Sequence, residues 1–200
     1  MTIPFLTSRR TALVAAFLVA AISASSSFAQ AAPKVKFATS EGDFIVEVYP
    51  DKAPKTVANF LQYVKDKHYD GTVFHRVIEN FMVQGGGFDA TYAQKPTRAP
   101  VVHEGREALT KGGDKNVVGT LAMARTNDPN SASSQFFINV RDNDFLNPSV
   151  QAPGYTVFGK VVSGMEVVNK IKSTPTGAGG PFPGDVPKTP ILINSASLVK

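Results

Sequence analysis

Apolar and polar positions along this chain change period several times, and each change marks an element. Val35 and Phe37 alternate with Lys34 and Lys36; beyond Glu41-Gly42-Asp43, Phe44, Val46 and Val48 alternate with Ile45, Glu47 and Tyr49. Period-two runs on either side of a short polar turn predict a β-hairpin. Val57, Phe60, Leu61 and Val64 then fall at i, i+3, i+4 and i+7, the stripe of an amphipathic helix. Pro54 suits the first turn of that helix, and Asp70-Gly71 closes the segment. Strand character resumes over residues 72–78 and 81–84, and again over 117–124, 135–140, 155–162 and 191–199. Ser163 with Glu166 three residues on predicts a capping box opening a short helix, with Met165, Val168 and Ile171 turned to the core. Residues 85–115 read as a long irregular loop, and residues 173–188 as turns.

Seven or eight short strands with two helices and no internal repeat predict a mainly β domain. The strands do not alternate with helices, which argues against a doubly wound sheet. A closed antiparallel β-barrel capped by two α-helices buries one face of every strand and leaves no open edge. Periodicity alone leaves a sandwich open.

The first 29 residues stand apart. Arg9 and Arg10 precede an apolar run from Leu13 to Ile22 and the small residues Ser23 to Ala29, the order of a secretory signal peptide. Cleavage is expected after Ala29 or Ala31, leaving residues 30–200 as a single domain. The apolar run is about half the roughly 20 residues that span a bilayer. Ser8-Arg9-Arg10 resembles part of a twin-arginine signal, but Ala12 stands where that signal carries a large apolar residue. Export by the general secretory route to the periplasm is therefore expected, without lasting membrane association.

Losing the two leader arginines leaves 19 basic residues of the original 21 against 16 acidic, a net +3. They form no run of like charge, so a nucleic-acid partner is not expected. The chain has no Cys, which excludes disulfides, thiolate metal sites and a Cys nucleophile. It has no Trp but 14 Phe, so phenylalanine must supply most of the bulk of any core or pocket.

Familiar catalytic constellations are thin. His68, His75 and His103 lack metal-binding spacing; within its strand, His75 reads as a hydrogen-bonded structural residue. No G-x-S-x-G elbow is present, and the glycine runs 85–87 and 177–180 lack the spacing of a phosphate loop. What remains is the dense segment Phe74-His75-Arg76-Val77-Ile78-Glu79-Asn80-Phe81-Met82-Val83-Gln84-Gly85-Gly86. By period two, Arg76 should share a strand face with Phe74 and Ile78. A cation there is costly unless it reaches solvent or a partner.

That segment resembles the signature of the cyclophilin-type peptidyl-prolyl cis-trans isomerases. Gly119-Thr120-Leu121-Ala122-Met123-Ala124-Arg125 with Ser134-Gln135-Phe136-Phe137-Ile138 resembles the family's second block. Phe145-Leu146 and Val157-Phe158-Gly159-Lys160-Val161-Val162 resemble its third, in the same order. The likeness runs from Lys34 to Val199 and is strongest to the periplasmic bacterial branch. It implies a cyclophilin-like eight-stranded barrel capped by two helices that accelerates rotation about X-Pro bonds, assists the folding of exported proteins, and needs no cofactor or metal.

Residue by residue, the resemblance makes Arg76 the catalytic arginine and Phe81, Met82, Phe137 and Leu146 the walls of a proline pocket. Gln84 and Gln135 match polar groups that contact the substrate backbone, and Ala124 with Arg125 the stretch along which the peptide lies. Phe145 stands where many relatives have Trp, and Tyr155 where they have His. These departures bear on cyclosporin, for which weak binding is expected, more than on catalysis. Residues 126–134 are about one residue longer than the common form. Proline-containing polypeptides are the expected partners of a monomer. A proline-segment binding module or chaperone without needed turnover is the alternative; a small-ligand carrier barrel fits poorly with so many large core side chains.

Overall fold

The computed structural model describes residues 1–2 and 31–199. The expected leader falls almost wholly within residues 3–30, outside the described residues. The remainder forms β1 (Lys34–Thr39), β2 (Gly42–Val48), α1 (Pro54–Lys65), β3 (Thr72–Ile78), β4 (Met82–Asp89) and α2 (Gly105–Thr110). There follow β5 (Thr120–Met123), β6 (Phe136–Asn139), β7 (Val157–Ser163), α3 (Met165–Lys172), β8 (Thr176–Gly179), β9 (Phe182–Pro187) and β10 (Leu192–Leu198). Eight strands close into an antiparallel barrel in the order β1-β10-β3-β4-β6-β5-β7-β2, while β8 and β9 pair as a separate hairpin.

The barrel is filled by rings. Phe37 stacks on Phe44 at 5.0 Å, and Phe136 meets Phe37, Tyr69 and Phe74 at 5.4 to 6.3 Å. Helix α1 drives Phe60 among them, 5.1 Å from Phe158 and 5.5 Å from Tyr69. Val168 and Ile171 of α3 join the same core cluster. The first hairpin alternates as its pattern predicts, burying Val35, Phe37, Phe44, Val46 and Val48.

Four expectations need correction. Among the described residues there are three α-helices rather than two, because residues 105–110 of the supposed irregular loop wind into α2. Two turns or fewer carry no readable apolar stripe. Second, the turn-rich segment 173–188 holds the hairpin β8–β9, and β4 continues through Gly85–Gly87 to Asp89. Glycines there admit the rings of Phe74, Tyr69 and Phe136 against the strand backbone. Third, Ser163 is not a helix cap: it ends β7, and the cap position is Gly164 at φ 81 with no side-chain hydrogen bond. Fourth, Arg76 does not share the face of Phe74.

A bulge in β3 reverses that last expectation. Phe74 pairs with Gly85 but Arg76 with Gln84, so two steps on β3 match one on β4. Phe74 and Val77 both enter the barrel core, while Arg76 is left exposed on the outer face. Re-aiming a side chain is what a bulge does.

Helix α1 has Pro54 in its first turn and no cap from its own residues. The buried Glu104 carboxylate supplies one from 49 residues downstream. It accepts from the backbone N–H of Lys55 at 3.1 Å, the N–H of Thr56 at 2.7 Å and the Thr56 hydroxyl at 2.7 Å. An anion at the positive end of a helix satisfies donors that have no partner inside it.

Candidate functional site

Strand register assembles a row of side chains across the outside of the barrel. Arg76 pairs with Gln84, Gln84 with Phe137, Phe137 with Ala122, and Ala122 with Val157. These are immediate cross-strand neighbours. Arg76 and Phe137 are therefore two strand spacings apart, roughly 10 Å. A second apolar cluster, separate from the core, forms where the row turns apolar. It buries Met82, Ala122, Phe137, Leu146 and Val157, with Ile78, Phe81, Ala124 and Tyr155 packed against them. A cleft of about 670 Å³ opens over it, a size in the usual range for ligand sites.

Ten of the eleven residues singled out in the sequence line this cleft: Arg76, Phe81, Met82, Gln84, Ala124, Arg125, Gln135, Phe137, Leu146 and Tyr155. Phe145 does not line it. It sits largely in solvent with its ring 5.7 Å from that of Phe81, nearly parallel. Six further residues line the cleft without having been anticipated: His75, Phe88, Phe182, Pro183, Gly184 and Asp185. Four of these come from β9, in a segment whose Gly and Pro content hid its strands. Only the hydrophobic character of Phe182 could have marked it.

The Arg76 side chain has no hydrogen bond to another group among the described residues. Its nearest charge is Asp185, with Nε 3.7 Å from Oδ2 and both side chains about half exposed. Pairs so exposed are worth little, so the guanidinium's donors are left uncommitted among the described residues. Gln84 Nε2 donates to Gln135 Oε1 at 3.0 Å beside it. Gly87 makes room for this pair, since a Cβ there would lie 2.4 Å from Gln135 Cγ.

Arg125 is committed elsewhere. Its Nε and one Nη donate to the Gly154 carbonyl at 3.1 and 2.8 Å, and the other Nη donates to the Thr126 carbonyl at 2.8 Å. Its guanidinium lies 4.5 Å over the Tyr155 ring, which in turn meets Phe137 edge-on at 5.5 Å. Arg125 thus serves as cleft wall and brace for Tyr155.

His75 is buried, as expected of a structural residue, but its Nδ1 has no hydrogen-bond partner. Its ring lies 4.7 Å from Phe88 and 5.4 Å from Phe182. Burial pushes its pKa down to about 4, partly opposed by the Val73 carbonyl, so it is neutral at pH 7. The cleft therefore offers an apolar slot, a free guanidinium at its edge and a pair of amides. These can hold a small apolar ring and donate hydrogen bonds to atoms beside it.

The model of the family described as cyclophilin type peptidyl-prolyl cis-trans isomerase/CLD matches residues 34–198. Peptidyl-prolyl cis-trans isomerase B of Escherichia coli K12 is 50% identical over 167 residues, covering 82% of this chain and 98% of the relative. Peptidyl-prolyl cis-trans isomerase A of Dickeya dadantii is 48% identical over 166 residues, covering 83% and 84%. Among solved structures, a cyclophilin type isomerase of Cryptosporidium parvum superposes with a TM-score of 0.67 at 26% identity, covering 84% of this chain and 98% of that one. The same protein in the presence of the dipeptide Ala-Pro gives 0.66, also at 26% identity, covering 84% and 99%. The matched span takes in every strand of the barrel and both sides of the cleft, and on it this chain belongs to the cyclophilin-type peptidyl-prolyl cis-trans isomerases, enzymes that interconvert cis and trans X-Pro bonds.

Proposed function

We propose that the cleft is the isomerase centre, with Arg76 as catalytic residue and Phe81, Met82, Phe137 and Leu146 holding the proline ring. The observation that carries this reading is a guanidinium free of protein hydrogen bonds at the edge of an apolar slot. Amide resonance sets the barrier to X-Pro rotation at ~18–20 kcal/mol. As the bond twists, the proline nitrogen regains a lone pair and the carbonyl oxygen loses negative charge. A donor aimed at that nitrogen is rewarded in the transition state and not in the planar ground state, as catalysis requires. Arginine stays charged throughout the working pH range.

One charged hydrogen bond contributes ~1.5–3 kcal/mol, which is about 10- to 150-fold in rate. The slot supplies more by excluding water from an amide that becomes less polar as it twists. Gln84 and Gln135 hold the peptide backbone, and Ala124, Arg125 and Tyr155 wall its path. The test is the cis-to-trans rate of a chromogenic X-Pro peptide with wild type and Arg76→Ala at equal concentration. Arg76→Ala should lose at least tenfold in kcat/KM while staying folded; a rate near wild type would overturn the mechanism.

The setting we infer is the periplasm, where the enzyme relieves newly exported chains of a step that takes tens to hundreds of seconds unaided. The order of charged, apolar and small residues ahead of Gln30 supports this reading. Mass spectrometry of the protein recovered from the periplasm should find an N-terminus at Gln30 or Ala32. An intact Met1, or retention in the cytoplasm, would overturn it. The mature form is expected to be a monomer that leaves the membrane, and to bind cyclosporin weakly because Phe145 and Tyr155 replace Trp and His. Among the described residues no helix is long and apolar enough to cross a membrane.

A further inference from the structure

Two walls of the slot, Phe81 and Leu146, lie outside the strands. Phe81 is in the turn joining β3 to β4, and Leu146 ends a single 3₁₀ turn. Backbone at such places is not held on both sides by a ladder, yet both residues line the slot and the gap between them belongs to it. A chain of buried amides spans it. Asn143 Nδ2 donates to the Phe81 carbonyl at 2.9 Å and to Asn139 Oδ1 at 2.7 Å. Asn139 Nδ2 donates to Asn116 Oδ1 at 3.2 Å and to Thr120 Oγ1 at 3.0 Å. Asn116 Nδ2 completes the path, donating to the Leu146 carbonyl at 3.2 Å and to Asn147 Oδ1 at 3.1 Å.

All three asparagines are buried, and none lines the cleft. Backbone bonds brace the same path: Asn143 N–H donates to the Asn116 carbonyl at 2.8 Å and Leu146 N–H to the Asn143 carbonyl at 2.9 Å. Asn139 is anchored in β6 directly opposite Met82, a third wall. Only a side-chain amide has two donors and an acceptor on one short stem. A carboxylate at position 143 would face the oxygens of Phe81 and Asn139, and an apolar residue would leave the Asn139 oxygen unpaired in a dry site and the Phe81 carbonyl with the Val140 N–H alone, at 3.2 Å.

We propose that Asn116, Asn139 and Asn143 are positioning residues for the isomerase reaction, a relay that fixes Phe81 and Leu146 at the spacing a proline ring requires. This rests on the reading of the slot as the proline site. A misplacement of 1 Å costs on the order of 100-fold where a reacting group must be held in register. The relay therefore acts on turnover as well as on binding, since the ring it holds must present its nitrogen to Arg76.

The decisive variant is Asn139→Ala, which breaks the relay at its middle link and touches neither Phe81 nor Leu146. Asn139→Ser, which keeps a hydroxyl in place, serves if the alanine form does not fold. Steady-state kcat and KM for an X-Pro peptide are measured well below the melting temperature, with Phe137→Ala and Glu104→Gln in parallel. Relay variants should lose at least tenfold in kcat/KM per folded molecule, with kcat carrying at least half of the logarithmic loss. Glu104→Gln loses stability from a helix cap and should keep its activity. If Asn139→Ala stays within twofold of wild type while Phe137→Ala is crippled, the relay is structural only and the inference fails. If Glu104→Gln loses as much activity as Asn139→Ala, the loss tracks stability and the inference fails again. If Phe137→Ala is itself unimpaired, the slot is not the proline site and the proposed function falls with it.

Discussion

A methyl group at position 87 would lie 2.4 Å from Cγ of Gln135 and 2.6 Å from its Cδ and Nε2. Carbon atoms in contact sit at about 3.5–4.0 Å, so the Gln135 side chain must move by about 1 Å or more. The 3.0 Å hydrogen bond from Gln84 then breaks. A neutral hydrogen bond contributes ~0.5–1.5 kcal/mol net, so Gly87→Ala should lower kcat/KM by about 2- to 12-fold. Stability should change little, because the lost hydrogen bond and the usual gain on replacing a strand glycine are of similar size and opposite sign. Gly87 does not adopt the left-handed backbone that favours glycine, and replacing a strand glycine with alanine gains roughly 0.5–1 kcal/mol. A slower enzyme of near wild-type stability separates a displaced Gln135 from a general loss of folding. The assay is the peptide cis-to-trans rate at low temperature, where the uncatalysed background is slow, together with a urea midpoint. Gln135→Ala should show a comparable loss, and Gly87→Ala added to it should cost nothing further. Additive losses, or a single variant as fast as wild type, would refute the reasoning.

Glu104→Gln should lower stability by about 1–3 kcal/mol, because a buried carboxylate accepting three hydrogen bonds at the start of α1 becomes an amide with one acceptor. A urea midpoint that falls with an unchanged slope is the expected record. His75 makes stability depend on pH. Its folded pKa is about 4 against an ordinary 6.5, so between those values the unfolded chain binds a proton that the folded protein refuses. Its contribution is complete above pH 6.5 and declines as pH falls towards 4, by about 3 kcal/mol at roughly 1.4 kcal/mol per pH unit. Burial lowers His68 and His103 as well, which adds in the same direction. In urea titrations at pH 7 and pH 4.5, His75→Phe should flatten the profile; a wild-type-like decline would show that His75 is not its source.

Much of this site was legible because its chemistry is concentrated in short contiguous blocks. Arg76, Phe81, Met82 and Gln84 fall within nine residues, and β4 and β6 pair in register, so their neighbours follow from the strand pattern. The contribution of β9 was not legible, since Pro183 and Gly184 read as turn and nothing local to Asp185 points to Arg76. Phe145, a departure from the family pattern that was still expected at the site, stands outside the cleft lining, because the 3₁₀ turn buries Leu146 and leaves its neighbour in solvent. Nothing local to Glu104 marks it, because its partner is the end of a helix distant in sequence.

The division follows the range of the forces. Period, turn residues and apolar stripes act over a few positions, so the first hairpin and α1 are determined by the sequence directly, while the strand pattern left the count at seven or eight. Which way Arg76 points depends on one extra residue in β3, and that bulge exists only against a partner strand. The cap on α1, the amide relay behind the slot and the space at Gly87 all join residues far apart in the chain. Each is a hydrogen bond or an excluded volume with no local signature, decided only when the closed barrel brings those residues within contact distance.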